Sequence, residues 1–372
     1  MFSVVVPLYA VAVGLNAAEV GLIVAARSVL PTLLSIHGGI LADQLGTRRV
    51  LTWVACACTL LPLLYPVSGW FVALLLLQLI MGLASSFGMA TSQTWAMLVS
   101  RGSTAMLARY SIATRVGTFI GPVVVGVAWD ILGPWAAFSC IALCGAGVIW
   151  ATASVPAQNA PPLPYGQGLS VLLPRWAPHK QALLLATVPA VAFILGASLL
   201  RNSSGAIQSS MFVVYLNGTG MSGTLIGALV AIAELSGVAG SLLTAPAEQR
   251  LGSAPLVIVC IGVSIVCMSA TPLLSGFLVL LVIACVLRGV VQGMSQPLMY
   301  AILSHEVGNH QQGASVGLRN AFVRLGSIVT PTAMGVAAEW YGIEMSFYVV
   351  GAVMMLATAG LALYGRKLSR RE

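Results

Sequence analysis

Six arginines and one glutamate interrupt stretches of sequence that are otherwise apolar: Arg27, Arg115, Arg201, Arg288, Arg319, Arg324 and Glu234. Placing such a charge in an apolar medium costs about 2.5–3.5 kcal/mol on insertion scales, so each is expected to be paired or to serve a function. Six cations cannot all pair with the one anion. A guanidinium fork grips a carboxylate or phosphate at two points. The excess therefore predicts an electropositive cavity for an anionic or carboxylate-bearing ligand, lined by Arg27, Arg115, Arg201 and Arg288. The competing reading is structural, with guanidinium groups bonded to carbonyls where helices break. Glu234, in Ala-Ile-Ala-Glu-Leu-Ser-Gly, is the expected proton carrier, or else the ion-pair partner of one arginine. The polar run Arg201-Asn202-Ser-Ser-Gly205-Ala-Ile-Gln208-Ser-Ser210 adds Asn202 and Gln208 to the cavity, as a break near mid-membrane. Gln78, Gln93, Trp95, Gln292 and Gln296 are further lining candidates, with helix packing as their alternative role.

The apolar runs must position these residues. The chain of 372 residues is 59% hydrophobic and 7% charged, against about 25% charged in a soluble domain. Runs of about 20 apolar residues, enough to cross a bilayer, recur from end to end. The pattern predicts helices near 2–14, 20–41, 49–66, 70–100, 107–131, 134–155, 182–216, 223–245, 254–274, 276–304, 313–338 and 342–365. The runs are continuous rather than alternating, which favours helices over a barrel. All seven cysteines fall in these helices, so no disulfide framework is implied.

The chain is also written twice. Arg115–Gly133 reads RVGTFIGPVVVGVAWDILG and Arg324–Gly342 reads RLGSIVTPTAMGVAAEWYG. Tyr9, Gly14, Gly21, Leu45 and Gly46 recur as Tyr215, Gly220, Gly227, Leu251 and Gly252. The offsets, 209 and 206, nearly agree, so a unit of roughly 207 residues is duplicated. Two halves around a central site is the architecture of many transporters. The expected boundaries are a first six-helix bundle over 1–156, a linker over 157–180 containing APPLPYGQG, and a second bundle over 181–372. Residues 169–173 are expected to lie on the membrane surface. If the second copy starts near Gln181, the first would start about 25 residues before Met1. Helix 2–14 reaches only ~20 Å against a ~30 Å hydrocarbon core. A missing start of this helix is therefore expected, by truncation or a mis-set start codon. No charged segment precedes the apolar run, so it does not read as a signal peptide.

Basic residues give the orientation. With helix 20–41 running inward, eleven lie in the connections and tail of one side: Arg48, Arg49, Arg101, Arg109, Arg175, Lys180, Arg250, Arg366, Lys367, Arg370 and Arg371. The opposite loops hold none. Both termini are expected on the cytoplasmic side of a bacterial-type plasma membrane. The net charge of +8 is then topological and needs no nucleic acid.

The connection after helix 20–41 reads Gly39-Ile-Leu-Ala-Asp43-Gln-Leu-Gly46-Thr-Arg48-Arg49. It resembles motif A of the major facilitator superfamily. The resemblance covers the whole chain and implies an all-α membrane protein, twelve helices in two pseudo-symmetric six-helix bundles that rock about a midplane site. It implies a cytoplasmic gate at Gly39, Asp43, Gly46, Arg48 and Arg49. There the acid sits at a helix N-terminus near Gly313–Gly317 and the arginines pair across the halves. Gln44 and Thr47 depart from the motif. Gly117, Gly121, Pro122 and Gly126 resemble the core of the antiporter motif C, whose physics is close helix approach and a bend. Gln78 stands where the proton antiporters' motif B has an arginine; Arg288 holds about the equivalent place in the second half.

Other matches fail on context. Gly218-Thr-Gly220-Met-Ser-Gly223 fits a dinucleotide pattern but joins two membrane helices. His305-Glu306…His310 has its second histidine one place too far along for a zinc helix. Cys140 and Cys144 share a face but lack further ligands, and Asn217 begins a sequon that matters only in a glycosylating host. No nucleophile–base pair, no metal constellation and no nucleotide-binding loop is evident, so neither an enzyme nor a cofactor is expected. The reading is a monomeric secondary transporter whose partners are a small-molecule substrate, the lipid bilayer and protons. It exports a metabolite or drug by proton exchange. The alternatives are an organic-anion uptake symporter, and a non-transporting receptor or lipid scramblase on the same scaffold.

Overall fold

A computed structural model of the chain describes residues 1–45, 47–100, 104–153, 187–306 and 312–369. Every regular element among them is a helix. The first half contains α1 (Phe2–Ala12), α2 (Ala17–Leu45), α3 (Thr47–Leu64) and α4 (Phe71–Ser100). Thr104–Ala153 then breaks at Gly133 (φ 77°, ψ −168°) into α5 (104–132) and α6 (134–153). The second half contains α7 (Pro189–Gln208), α8 (Met211–Gly218), α9 (Gly223–Leu251), α10 (Ser253–Ser269), a single turn α11 (Thr271–Leu274), α12 (Leu278–Glu306), α13 (Gln312–Tyr341) and α14 (Ile343–Ser369). The linker expected over 157–180, with its surface segment, lies outside the described residues.

Eight described stretches are long and apolar enough to cross a bilayer, and Val116–Ala153, broken at Gly133, makes two crossings. With the shorter helices α1, α3 and α10 the expected twelve are present. The interruption expected within 201–210 falls at its far end. α7 runs unbroken through Arg201 and Gly205 and stops at Gln208, and Ser209–Ser210 turn the chain into α8.

The repeated residues have geometric reasons to recur. Gly14 and Gly220 both take positive φ, at 84° and 87°, as do Gly133 and Gly342, at 77° and 84°. Each ends a helix in a turn that a side chain would strain. Tyr9 packs edge-on against Phe138 and Tyr215 against Phe347, with ring centroids 5.5 and 5.6 Å apart. Those turns lie at one end of the bundle, here the glycine end. Arg48, Arg49, Arg250 and Arg366 mark the other, basic end. Exposed aromatic side chains gather at both: Trp70, Trp135, Phe277, Trp340 and Tyr341 at the glycine end, Trp53, Trp150 and Tyr364 at the basic end. Such belts sit at headgroup level.

Two seams join the halves, α2 against α13 and α5 against α9. Both are backbone contacts. A Cβ on Gly21 would lie 2.3 Å from the Pro331 carbonyl oxygen, and one on Gly227 would lie 2.3 Å from that of Pro122. In the reverse direction Gly335 abuts the Ala17 carbonyl and Gly126 that of Gly223, at 2.6 and 2.3 Å. Gly21/Gly227, Pro122/Pro331 and Gly126/Gly335 are repeat pairs, so one interface is built twice about a pseudo-two-fold axis. At the end of the second seam the Asp130 carboxylate accepts from Gly223 N (2.8 Å), Thr224 N (2.7 Å) and Thr224 Oγ1 (2.5 Å), capping α9 from the other half. Its repeat partner Glu339 is exposed. The start of α2 is capped locally, Asn16 and Glu19 exchanging bonds of 3.0 and 2.8 Å.

Candidate functional site

The arginines of α7 and α12 donate to serine, glutamine and backbone oxygens. Arg201 donates through Nε to Ser295 Oγ (2.7 Å), and through Nη2 to the Gln292 carbonyl (2.9 Å) and Gln296 Oε1 (3.3 Å). Gln292 Nε2 donates back to the Arg201 carbonyl (3.0 Å) and to Ser264 Oγ (3.1 Å). Arg288, 4% exposed, donates through Nε to Ser204 Oγ (3.4 Å) and through Nη1 to Gln208 Oε1. A guanidinium only donates, so this contact fixes the Gln208 amide with its oxygen toward Arg288. Ser204 and Ser264 share a further bond of 2.7 Å. The helices can bring these groups so close because α9 and α12 touch through glycine. A Cβ on Gly289 would lie 2.1 Å from the Ala233 carbonyl oxygen, and one on Gly293 2.0 Å from that of Gly237.

A cavity of about 570 Å³ within the second half is bounded by Arg201, Gln208, Glu234, Arg288, Gln292 and Gln296. Glu234 is exposed to it, on α9, and its charge is felt by Arg288. A second cavity of about 570 Å³ lies in the first half, against Phe2, Val24, Arg27, Gln78, Met81 and Ile141. There Arg27 covers the Phe2 ring at 4.9 Å and donates to Ser85 Oγ at 3.4 Å, and Gln78 is 2% exposed with its Oε1 lacking a hydrogen-bond partner. Ser3 and Ser209 border both cavities. They stand 206 residues apart, the offset of the repeat. Both cavities lie on the basic side of the seams.

Arg27, Gln78, Arg201, Gln208, Glu234, Arg288 and Gln292 thus come together around the two cavities, and Gln296 with them. Asn202 does not line either. Its Nδ2 is taken by the Val323 carbonyl and Ser327 Oγ, both at 2.6 Å, because α7 packs on α13. Arg324 donates to Ser86 Oγ at 2.8 Å, from one half to the other and outside these cavities. Arg319 is buried on α13. Gln93 is exposed and Trp95 partly so, and neither borders the two cavities. The side chain of Arg115 lies outside the described residues.

At the expected gate, Gly39 and Asp43 belong to α2, but their surroundings, Gly46 and the facing 313–317 side chains lie outside the described residues. Arg49 is exposed. Arg48 Nη2 donates to the Ala153 carbonyl at 3.3 Å, within its own half, because α3 begins beside the end of α6. Of the helix 5 residues, Gly126 and Pro122 make the seam, and a Cβ on Gly121 would meet Met1 at 2.9 Å. One on Gly117 would meet nothing within 4 Å. Ser204 and Ser209 fall in the polar run singled out from sequence, whereas Ser3, Ser264 and Ser295 were missed, though the shared offset of Ser3 and Ser209 was a usable signal for the first.

A model of the Major Facilitator Superfamily matches residues 1–200 and again 193–372. Over 145 residues the chain is 30% identical to the quinolone resistance protein NorA of Staphylococcus aureus (strain MRSA252), a match over 39% of this chain and 37% of that protein. Among solved structures it is similar to a mutant of the nucleoside transporter NupG, with a TM-score of 0.80 and 14% identity over 98% of this chain and 95% of that one. The D-xylose-proton symporter gives 0.71 at 14% identity, over 97% and 93%. At such identity these structures share the fold. With a family match running through both halves of a duplicated bundle and a cavity in each, the chain is a multi-pass membrane transporter, not an enzyme, and belongs to the Major Facilitator Superfamily.

Proposed function

We propose that the chain exports a small organic anion from the cytoplasm across a bacterial-type plasma membrane in exchange for protons. One observation carries the substrate reading. Arg27, Arg201 and Arg288 border the adjoining cavities, their hydrogen-bond acceptors named above are neutral, and Glu234 is the single acid among the lining residues. Such a site has positive charge to offer an anion. Glu234 carries the proton in this reading, since it is the acid that faces the cavity. Its protonation would alternate with anion occupancy. Export is supported by the antiporter-like glycines and Pro122 of α5, of which Pro122 and Gly126 make the seam, and by the likeness to a quinolone resistance protein over part of the chain. Cytoplasmic termini are supported by the basic connections.

The test is substrate-dependent proton flux in proteoliposomes, wild type beside Glu234→Gln, with panels of organic anions and lipophilic cations. Flux with anions that is abolished in Glu234→Gln is the expected result. Flux with cations alone overturns the substrate reading, and unchanged coupling in Glu234→Gln overturns the proton assignment.

A further inference from the structure

The two cavities differ in chemistry although the halves are copies. The second-half cavity is walled by Arg201, Gln208, Glu234, Arg288, Gln292 and Gln296. The first-half cavity has the apolar wall of Phe2, Val6, Val24, Met81, Ile141 and Val148, with the amide of Gln78 and the hydroxyls of Ser28 and Ser327 beside it. Its cation, Arg27, is engaged with the Phe2 ring and Ser85. The repeat explains the contrast. Its offset of 206 pairs Glu234 with Ser28 and Gln208 with Phe2, and the matching close approaches of Gly82 and Gly289 set a local offset of 207 that puts Arg288 opposite Met81 rather than opposite Gln78. Wherever one copy carries a charged or amide group at these positions, the other carries an apolar or small side chain.

We propose that the substrate is an aromatic organic acid that spans both cavities, its carboxylate in the second half and its ring in the first, passing between Ser3 and Ser209. This rests on the anionic-substrate reading above. The carboxylate meets Arg288, whose acceptors Ser204 and Gln208 are neutral and therefore weaker than a carboxylate, with Arg201 beside it on the same wall. The ring meets apolar side chains and a guanidinium already lying over an aromatic face, an environment that favours aromatic over aliphatic bodies. Cavities of about 570 Å³ on each side fall in the range that accommodates drug-sized ligands.

The full chain in lipid nanodiscs is titrated with naphthylacetate, naphthylacetamide, acetate and naphthylmethylammonium, with binding read from thermal stabilisation. Naphthylacetate is expected to bind roughly tenfold or more tightly than the other three, the worth of a charge-assisted hydrogen bond or a buried ring. Gln208→Glu sets a carboxylate against Arg288 and should weaken naphthylacetate by a similar factor while leaving naphthylacetamide unmoved. Val148→Asn, at a half-exposed wall position, should weaken both aryl compounds. Acetate binding as well as naphthylacetate overturns the aromatic assignment and leaves the anion reading standing. Preference for the ammonium, or for the amide over the acid, overturns both. Failure of naphthylacetate to bind a folded protein also overturns the proposal, and the flux panel of the previous section then decides separately whether any anion is carried.

Discussion

Arg201 is satisfied by a serine, a glutamine and a backbone carbonyl on α12. That network uses the breadth of the guanidinium fork, which an ammonium on a flexible stem cannot reproduce. Arg201→Lys is therefore expected to keep the charge yet lose geometry, lowering transport of the preferred anion by roughly tenfold for each charged hydrogen bond forgone. Initial-rate uptake into proteoliposomes at matched protein density checks this, and an unchanged rate would show that charge alone suffices. Sequence showed which residues carry charge in apolar surroundings, and most of those border the cavities. It did not show the partners. Whether Arg324 meets Ser86, or Asn202 meets Ser327, depends on the rotation of two helices about their own axes. That rotation is set by close approach elsewhere along the pair, and no periodicity in one helix reports it.

At the scale of elements, the duplicated motif in α5 and α13 was fully legible, and its meaning became clear only with its partners. The recurring glycines and prolines are the seam; the residues that break the repeat line the cavities. The end of α9 shows how the copies diverged. Ser222 caps α9 locally as Asn16 caps α2, but where α2 adds its own Glu19, α9 adds Asp130 from across the seam. Asp130→Ala removes a cap generally worth about 0.5–2 kcal/mol. Because this cap joins the halves, part of that loss should appear as easier parting at the glycine end. Cys144 borders the first-half cavity as a free thiol. Its labelling by a membrane-impermeant maleimide added at the glycine-end face should rise in Asp130→Ala. No rise in a folded protein would mean that the cap stabilises α9 without latching the halves. The break in the second half's first span was legible as a polar run but not as a position. Ser, Asn and Gly tolerate a helix well enough that α7 continues through them until Ser209.

For the molecule as a whole, twelve helices in two copies followed from composition and repeat, while the unequal walls of the two cavities required the fold. Rocking of two halves predicts that the seams act as one unit. Gly227→Leu places bulk where even a Cβ would lie 2.3 Å from the Pro122 carbonyl oxygen. It should wedge the glycine end apart and trap the cavity open to that side. Substrate flux should then fall strongly while binding from the glycine-end face persists. Loss of both in a folded variant would argue against rigid halves.

The seams themselves carry one more implication. They are made of Cα hydrogens set against carbonyl oxygens, at Gly21 and Pro331 and again at Gly227 and Pro122. Surfaces of this kind have no rotamers to reset and little apolar area to wet when they separate. Each parting and rejoining therefore begins without the entropy loss of interlocking side chains. The friction of the motion falls instead on whatever must leave or enter the polar cavity. Turnover in such a machine should be governed by the hydration of its cargo more than by the stiffness of its hinge.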